Sequence, residues 1–151
     1  MHVYTLRREQ WIPRTRSQVF EFFGDARNLE TLTPPWLNFT ILTPGPIDLR
    51  EGTLIDYQLR WGLVPLRWRT EIRSWRPPEK FVDFQLRGPY RLWEHEHDFT
   101  EVDGGTRMVD TVRYALPLGP LGRLAHRLKV GRDLERIFDY RAEKIRELFP
   151  A

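Results

Sequence analysis

The strongest restriction on the fold comes from one long amphipathic segment, residues 118–149, which closes a chain otherwise made of strand-like segments. Its apolar residues recur every three or four positions, the spacing that puts side chains on one face of a helix. The members of this face are Leu121, Leu124, Ala125, Leu128, Gly131, Leu134, Phe138, Ala142, Ile145 and Phe149. Pro117 and Pro120 stand at its start, where a helix tolerates proline, and Gly131 is placed to bend it. We therefore predict one long C-terminal helix that packs a single apolar face on the rest of the chain.

The rest of the chain predicts strands and two short helices. A first strand is expected over residues 2–12. The Thr15–Gln18 pattern is a capping box that opens a short helix, and Asp25 is placed to cap a second helix over Ala26–Leu32. Between Trp36 and Ala115, apolar and polar residues alternate in about six runs that turn residues separate.

This order of elements predicts an α+β fold in a single domain, residues 1–151. We expect a curved antiparallel sheet of about seven strands wrapped around the long C-terminal helix, with two short helices after the first strand. Because such a sheet curves around only one long helix, we expect a cavity between them.

Composition excludes several classes of function. The chain contains no cysteine, which excludes a disulfide scaffold, a cysteine nucleophile and a thiolate metal site. Its 24 basic and 21 acidic residues give a net charge of +3, which is too balanced to indicate a nucleic-acid partner. The sequence has no glycine-rich phosphate loop and no nucleophile elbow, so we expect no cofactor.

No segment indicates export or a membrane span. Residues 1–8 are polar and soon basic, and they lack the apolar core of a secretory signal. The longest uncharged stretch, Thr31–Ile47, contains four prolines and is not a transmembrane helix. We therefore expect a cytoplasmic protein.

Several phrases of the sequence, taken in order, carry a resemblance to a known superfamily. They are Ile12–Phe20, Asp25–Leu29, Gly104–Met108 at the opening of a strand, and the closing amphipathic helix. Together they resemble the START-like (SRPBCC) superfamily, also called polyketide cyclase/dehydrase-like, over essentially the whole chain. The resemblance implies the helix-grip fold and a hydrophobic tunnel under the long helix for a small apolar or amphipathic ligand. It does not imply one activity, because the same fold has many functions.

The segment Trp93–Phe99 holds most of the residues capable of chemistry. A two-residue turn at Asp103-Gly104 would pair Trp93 with Tyr114, His95 with Val112, His97 with Asp110, and Phe99 with Met108. A shift of this register by one residue would place Asp98 opposite Asp110, and such a like-charge pair is disfavoured. We therefore prefer the first register, which turns this largely apolar face towards the core.

His97 and Asp110 form a candidate buried pair in this register. A carboxylate beside an imidazole favours the imidazolium, so the pair is suited to general acid–base catalysis of a dehydration or cyclisation. The role that we expect is not catalytic: the two side chains hydrogen-bond to each other in the interior or bind the head group of a ligand. As a further alternative, His95, His97 and Asp110 could bind a metal ion, because imidazole and carboxylate groups are metal ligands. The sequence offers no further histidine or cysteine ligand beside them.

The strand over residues 81–87 leaves two facings open. A two-residue turn at Gly88-Pro89 puts Asp83 against Glu94, whereas a three-residue turn turns Asp83 and Gln85 into the cavity and brings His95 near Phe81. The like-charge argument favours the second facing slightly. The cavity then has a polar end lined by Asp83, Gln85, His95, His97 and Asp110.

Aromatic residues are the expected walls of the cavity, although core packing explains any one of them more often than ligand contact does. The candidates are Trp36, Tyr57, Trp68, Trp93, Tyr114 and Phe138. We therefore predict ligand contacts from these aromatic residues, apart from Trp36, together with the polar end.

The polar surface of the C-terminal helix has two halves. From Asp133 onward acidic and basic residues interleave, which is typical of ion pairs on a solvated face. The first half, Arg123–Arg132, contains basic residues only, and contact with a phosphate-bearing lipid surface is an alternative role for it.

The leading hypothesis is a protein that binds a small hydrophobic or amphipathic molecule of lipid, isoprenoid or polyketide type. The second is a cyclase or dehydratase that uses the His97–Asp110 pair. The third is an interaction module that modulates another protein. The sequence predicts no particular oligomeric state.

Overall fold

The computed structural model describes residues 1–151, and its strands and short helices follow the predicted order. They are β1 Tyr4–Ile12, α1 Arg16–Phe23, α2 Asn28–Leu32, a 3-10 turn Pro35–Leu37, β2 Thr40–Ile41, β3 Leu54–Trp61, β4 Val64–Arg76, β5 Lys80–Arg87, β6 Leu92–Val102 and β7 Gly105–Ala115. The C-terminal helix is continuous over residues 119–148. It consists of α3 (Gly119–Ala125), a π-helical turn (His126–Val130) and α4 (Gly131–Leu148).

The seven strands form one antiparallel sheet in the order β1-β7-β6-β5-β4-β3-β2. Along β3 and β4 the residues of one face are buried, as the alternation of the sequence predicts. The C-terminal helix and the two short helices cover this buried face of the sheet. The predicted α+β helix-grip architecture is therefore confirmed.

Both hairpins that carry candidate site residues have the favoured registers. Asp103 and Gly104 both have positive φ (52° and 75°), and across this turn His97 lies opposite Asp110, as predicted. Between β5 and β6, Asp83 lies opposite His95, which confirms the facing with Asp83 inside. In this register Phe81 lies directly opposite His97, and His95 is two residues away from His97 on the same face.

Two local predictions need correction near the short helices. The Thr15–Gln18 capping box is present, but α2 begins at Asn28 and not at Ala26. Asp25 accepts a hydrogen bond from the backbone N–H of Arg27 (3.0 Å) and so stabilises the turn before the helix. The alternation expected from Trp36 onward produces a strand only at Thr40–Ile41, because the preceding residues form the 3-10 turn.

The C-terminal helix packs its predicted apolar face only in its second half. Leu134, Phe138 and Ile145 of α4 are buried, whereas Leu121 and Leu128 are exposed. The π-helical turn explains the difference, since its wider turn adds a residue and rotates the face that follows. This π turn ends at Val130, directly before Gly131, where the sequence predicted a bend.

The core consists of three clusters between the sheet and the helices. One lies under α1, one lines β3 and β4, and one lies under the first turns of α4; each includes aromatic residues. None of the helices combines the length and apolar composition that a bilayer crossing requires.

The two apolar residues near the end of α4 provide a test of this packing. Ile145 is 1% exposed in the core, whereas Leu148 is 40% exposed. We expect Ile145→Ala to lower the free energy of unfolding by about 2–5 kcal/mol through lost burial and a cavity. Leu148→Ala should change it by no more than about 0.5 kcal/mol. Urea denaturation of both variants measures the difference, and equal losses would contradict the observed orientation of α4.

Candidate functional site

A cavity of about 430 Å³ lies between the concave face of the sheet and the C-terminal helix. Strands β3–β6 form its floor, while α2, the 3-10 turn and α4 form its roof. Its walls are mainly apolar and aromatic, with Tyr57, Trp68, Tyr90, Trp93 and Phe138 among them. The volume lies within the range typical of pockets that hold small organic ligands.

The inner wall of the cavity carries a compact polar cluster, which we define as Asp83, His95, His97, Asp110 and Arg141. Nε2 of His95 donates to Oδ1 of Asp110 (2.8 Å), and Nε2 of His97 donates to Oδ2 of Asp83 (2.7 Å). The predicted contact between His97 and Asp110 is present, since Nδ1 of His97 lies 3.3 Å from Oδ1 of Asp110, but the shorter contact of His97 is the hydrogen bond to Asp83.

Arg141 of α4 completes the cluster from the helix side. Its Nε and Nη2 donate to the two carboxylate oxygens of Asp110, each at 3.3 Å. The guanidinium also lies 5.1 Å from the centre of the Phe23 ring, a cation–π contact. Asp110 is therefore held between an imidazole of the sheet and the guanidinium of the helix.

The two imidazole rings stack on each other. The ring centres of His95 and His97 are 3.7 Å apart with 24° between the planes, and Phe81 stacks on the other side of His97 at 4.0 Å. His97 thus lies between an aromatic ring and a second imidazole, with a carboxylate near each of its two nitrogens.

Opposite charges in the cluster keep both carboxylates ionised. Burial raises the pKa of Asp110, but the charge of Arg141 and the hydrogen bond from His95 outweigh it and hold this pKa well below the usual range. Burial also opposes ionisation of Asp83, yet the hydrogen bond from His97 leaves its pKa below the ordinary value.

The two histidines are shifted in opposite directions. Burial lowers the pKa of His97, but its two carboxylate neighbours outweigh burial and leave the pKa above the ordinary value. For His95, burial and the charge of His97 outweigh the hydrogen bond to Asp110, so its pKa is lowered. In the state with His97 protonated and His95 neutral, the direction that these pKa shifts favour, the positive and negative charges of the cluster balance.

The cluster is not arranged around a single ion. Ligand atoms of Asp83, His95 and His97 lie within 4.8 Å of one another, but the two rings are stacked nearly parallel. A metal lies in the plane of each imidazole that binds it, and two stacked planes do not share such a position. The metal alternative for His95, His97 and Asp110 therefore requires both rings to rotate.

Seven of the predicted ligand-binding residues line the cavity and three do not. The seven are Tyr57, Trp68, Asp83, Trp93, His95, His97 and Phe138. Gln85 binds the backbone of Tyr90 through both side-chain atoms (2.8 and 3.1 Å), so it stabilises the β5–β6 loop. Asp110 is 2% exposed behind the two histidines, and the Tyr114 hydroxyl donates to Nε2 of His126 (2.7 Å).

Sequence reasoning placed Arg141 among the surface charges of the helix and so missed its role. A signal for it exists, since Arg141 follows Leu134 by seven positions and Phe138 by three, which places it on the buried face of α4. A charged residue on the apolar face of a helix indicates a buried partner, which here is Asp110.

The cavity reaches the surface between the β3–β4 hairpin, the 3-10 turn and the start of α4; we call this opening the mouth. Exposed lining residues gather here, namely Trp36, Arg60, Gly62, Lys129 and Arg136. The indole of Trp61 donates to Asp133 of α4 (3.0 Å), which ties the hairpin to the helix beside the mouth.

Comparison with known proteins agrees with this architecture. The family model described as polyketide cyclase/dehydrase and lipid transport matches residues 4–149. No curated protein matches the chain.

Solved structures show the same fold at low sequence identity. The Zhui aromatase/cyclase from a Streptomyces species superposes with a TM-score of 0.74 at 16% identity, covering 95% of this chain and 92% of its own. The protein TTHA0849 from Thermus thermophilus gives 0.65 at 23% identity, covering 94% and 97%. Ara h 8.0201 gives 0.62 at 15% identity, covering 95% and 98%. The likeness at these identities establishes the fold.

The opposite pKa shifts of the two histidines are directly testable. The charged form of His97 is stabilised by folding, so its contribution to stability is complete below pH 6.5 and is lost as pH rises through the higher folded pKa. His95 has the reverse sign, because its stabilising neutral form is lost as pH falls through the lowered pKa. In a ¹⁵N-imidazole NMR titration, we expect His97 to titrate above pH 6.5 and His95 below it. Asp83→Asn should lower the pKa of His97, and titration of both rings at the ordinary value would contradict the cluster.

Proposed function

Because the chain belongs to the polyketide cyclase/dehydrase and lipid transport family, within the START-like superfamily, we propose that it binds a small hydrophobic or amphipathic molecule. The ligand is of lipid, isoprenoid or polyketide type and occupies the cavity between the sheet and the C-terminal helix. The observation that carries the proposal is the 430 Å³ cavity with aromatic walls and a polar cluster at its inner end.

The cluster indicates which end of the ligand enters first. Its charged groups are already paired with one another, so an ionised ligand group placed beside it would be a buried charge without a partner. An uncharged group, such as a carbonyl or hydroxyl, adds no such charge. We infer that the inner end of the ligand is uncharged, while any charged group of the ligand remains at the mouth.

One buried nitrogen of the cavity wall supports this orientation. Nε1 of Trp68 has no hydrogen-bond partner. A buried unsatisfied donor costs about 1–3 kcal/mol, and an acceptor oxygen on a ligand offsets that cost. Trp68 lines the cavity. We infer that an acceptor atom of the ligand is the partner of this nitrogen.

Binding in the cavity can be tested with Nile red, an uncharged hydrophobic dye. Leu59 lines the cavity, whereas Leu42 is exposed outside it. We expect saturable binding of the dye by the wild-type protein and at least about tenfold weaker binding by Leu59→Trp, whose larger side chain fills the ligand space. Leu42→Trp is the matched control and should bind as the wild type does. Fluorescence titration measures the affinities.

Two outcomes of that titration would contradict the proposal: no saturable binding, or equal affinity of the two tryptophan variants. Native mass spectrometry of the purified protein adds a second measurement. A released mass of several hundred daltons identifies the chemical class of a ligand retained during purification.

A cyclase or dehydratase is the second candidate, favoured by the charged imidazolium of His97 on the cavity wall. The protonated ring is a general acid that donates its proton to the leaving hydroxyl of a β-hydroxy ketone, while Asp83 keeps the ring oriented. Water accepts the proton lost from the carbon next to the carbonyl, and the electron pair of that C–H bond forms the double bond as the C–O bond breaks. Asp83 joins the partner that the sequence suggested, since Nε2 of His97 hydrogen-bonds to Asp83 while its Nδ1 lies 3.3 Å from Asp110.

Dehydration of a β-hydroxy ketone releases water and forms an enone, whose near-ultraviolet absorption is easily followed. We expect His97→Gln to lower such a rate by at least about 100-fold, since general acid catalysis contributes about 10²–10⁴-fold. His126→Gln, a histidine outside the cavity lining, is the matched control. An unchanged rate in His97→Gln, with its fold confirmed by circular dichroism, would exclude this role without affecting the binding proposal.

A further inference from the structure

The start of the C-terminal helix presents leucines to the outside. Leu121, Leu124 and Leu128 are 67%, 49% and 66% exposed, and we call them the leucine stripe. At the tip of the β3–β4 hairpin, Leu63 is 91% exposed and Val64 58% exposed. Large apolar side chains grouped in this way mark an interaction surface more often than isolated ones do.

The leucine stripe cannot turn inward, because the inner face of this segment is already filled. Gly122 is buried so tightly that a Cβ atom there would lie 2.1 Å from the carbonyl oxygen of Pro117. The ring of His126 stacks on Tyr4 with centres 3.6 Å apart, and it accepts the hydrogen bond from Tyr114. The outward position of the leucines is therefore set by the packing of the opposite face.

The two segments that carry these exposed apolar residues contain basic residues and no acidic ones. Residues 111–132 contain no acidic residue, and Arg123, Arg127 and Arg132 are exposed among them. The hairpin is similar, since residues 57–70 contain no acidic residue and include exposed Arg60 and Arg67. The surface thus combines apolar side chains with basic ones, the pattern of helices that lie on anionic membranes.

The two apolar surfaces adjoin the mouth of the cavity. The indole of Trp61 binds Asp133 at 3.0 Å, and the ammonium of Lys129 lies 5.9 Å from the centre of the same indole ring. Gly62 and Lys129, which precede Leu63 and follow Leu128, both line the cavity. The hairpin tip and the leucine stripe therefore lie on either side of one opening.

We propose that the leucine stripe and the β3–β4 hairpin tip form a docking surface that places the mouth of the cavity on an anionic phospholipid bilayer. The leucines enter the outer acyl region, and the surrounding arginines contact lipid phosphates. This inference concerns the outer surface and goes beyond ligand binding in the cavity. A bilayer at the mouth would also be the direct source or destination of a hydrophobic ligand.

A second copy of the chain fits this surface less well. A symmetric dimer through the same patch would bring the basic residues of one copy against those of the other, and no acidic residue of these segments would compensate them. An anionic lipid surface supplies both an apolar layer and the missing negative charge.

The test is sedimentation of the full chain with vesicles. The two compositions are phosphatidylcholine alone and phosphatidylcholine with about 30% phosphatidylglycerol, an anionic lipid. We expect binding to the anionic vesicles, at least about tenfold weaker binding to the neutral ones, and weakening as salt is raised. The double variant Leu121→Ser/Leu124→Ser should bind at least about tenfold more weakly, since it removes apolar surface that enters the bilayer.

The matched control is Leu42→Ser/Leu148→Ser, which replaces two exposed leucines away from the mouth and should bind as the wild type does. Equal binding to both vesicle types, no binding to either, or equal losses in the two double variants would overturn the proposal. So would a dimer in analytical ultracentrifugation that Leu121→Ser/Leu124→Ser dissociates. Nile red titration without vesicles separates the two proposals, because dye binding without vesicle binding rejects the docking surface alone.

Discussion

A carboxylate can be buried in an apolar interior only if opposite charge reaches it, and Asp110 meets this requirement by joining the sheet to the C-terminal helix. His95 reaches it along the sheet and Arg141 from α4. Because Arg141 must point inward for this contact, the rotation of α4 about its axis follows, and Leu134, Phe138 and Ile145 turn inward with it. The same cluster forms the inner wall of the cavity, so the tertiary packing and the chemistry of the site depend on one group of charges.

The cavity follows from how the sheet and the helix meet at their two ends. At the inner end the charged cluster and the aromatic core hold them together, while at the outer end the hairpin is tied to α4 through Trp61 and Asp133. Between these two connections the space is lined by aromatic rings and is left open. The polar groups inside are largely paired with one another, so shape and apolar contact provide most of the selectivity that we propose.

Much of the fold could be predicted because it depends on local spacing. The alternation along β3 and β4 and the Asp103-Gly104 turn concern residues that are close in sequence, and each prediction is confirmed. The wish to avoid a like-charge pair between Asp83 and Glu94 favoured the facing that turns Asp83 into the cavity, and the structure has this facing. Helix patterning failed over the first part of the C-terminal helix, because the π-helical turn His126–Val130 changes the periodicity that the apolar pattern assumes.

The sequence by itself determined the order of elements, the register of the β6–β7 hairpin and the presence of His95, His97 and Asp110 on one face of the sheet, and it favoured slightly the facing of Asp83 that the structure has. Only the tertiary structure decided which carboxylate holds which imidazole, that Gln85 and Tyr114 are used outside the cavity lining, and that Arg141 completes the cluster. The physical reason is that strand register fixes which residues are neighbours across a hairpin, whereas these contacts depend on side-chain rotamers and on the packing of α4. That packing is set by distances between elements far apart in sequence.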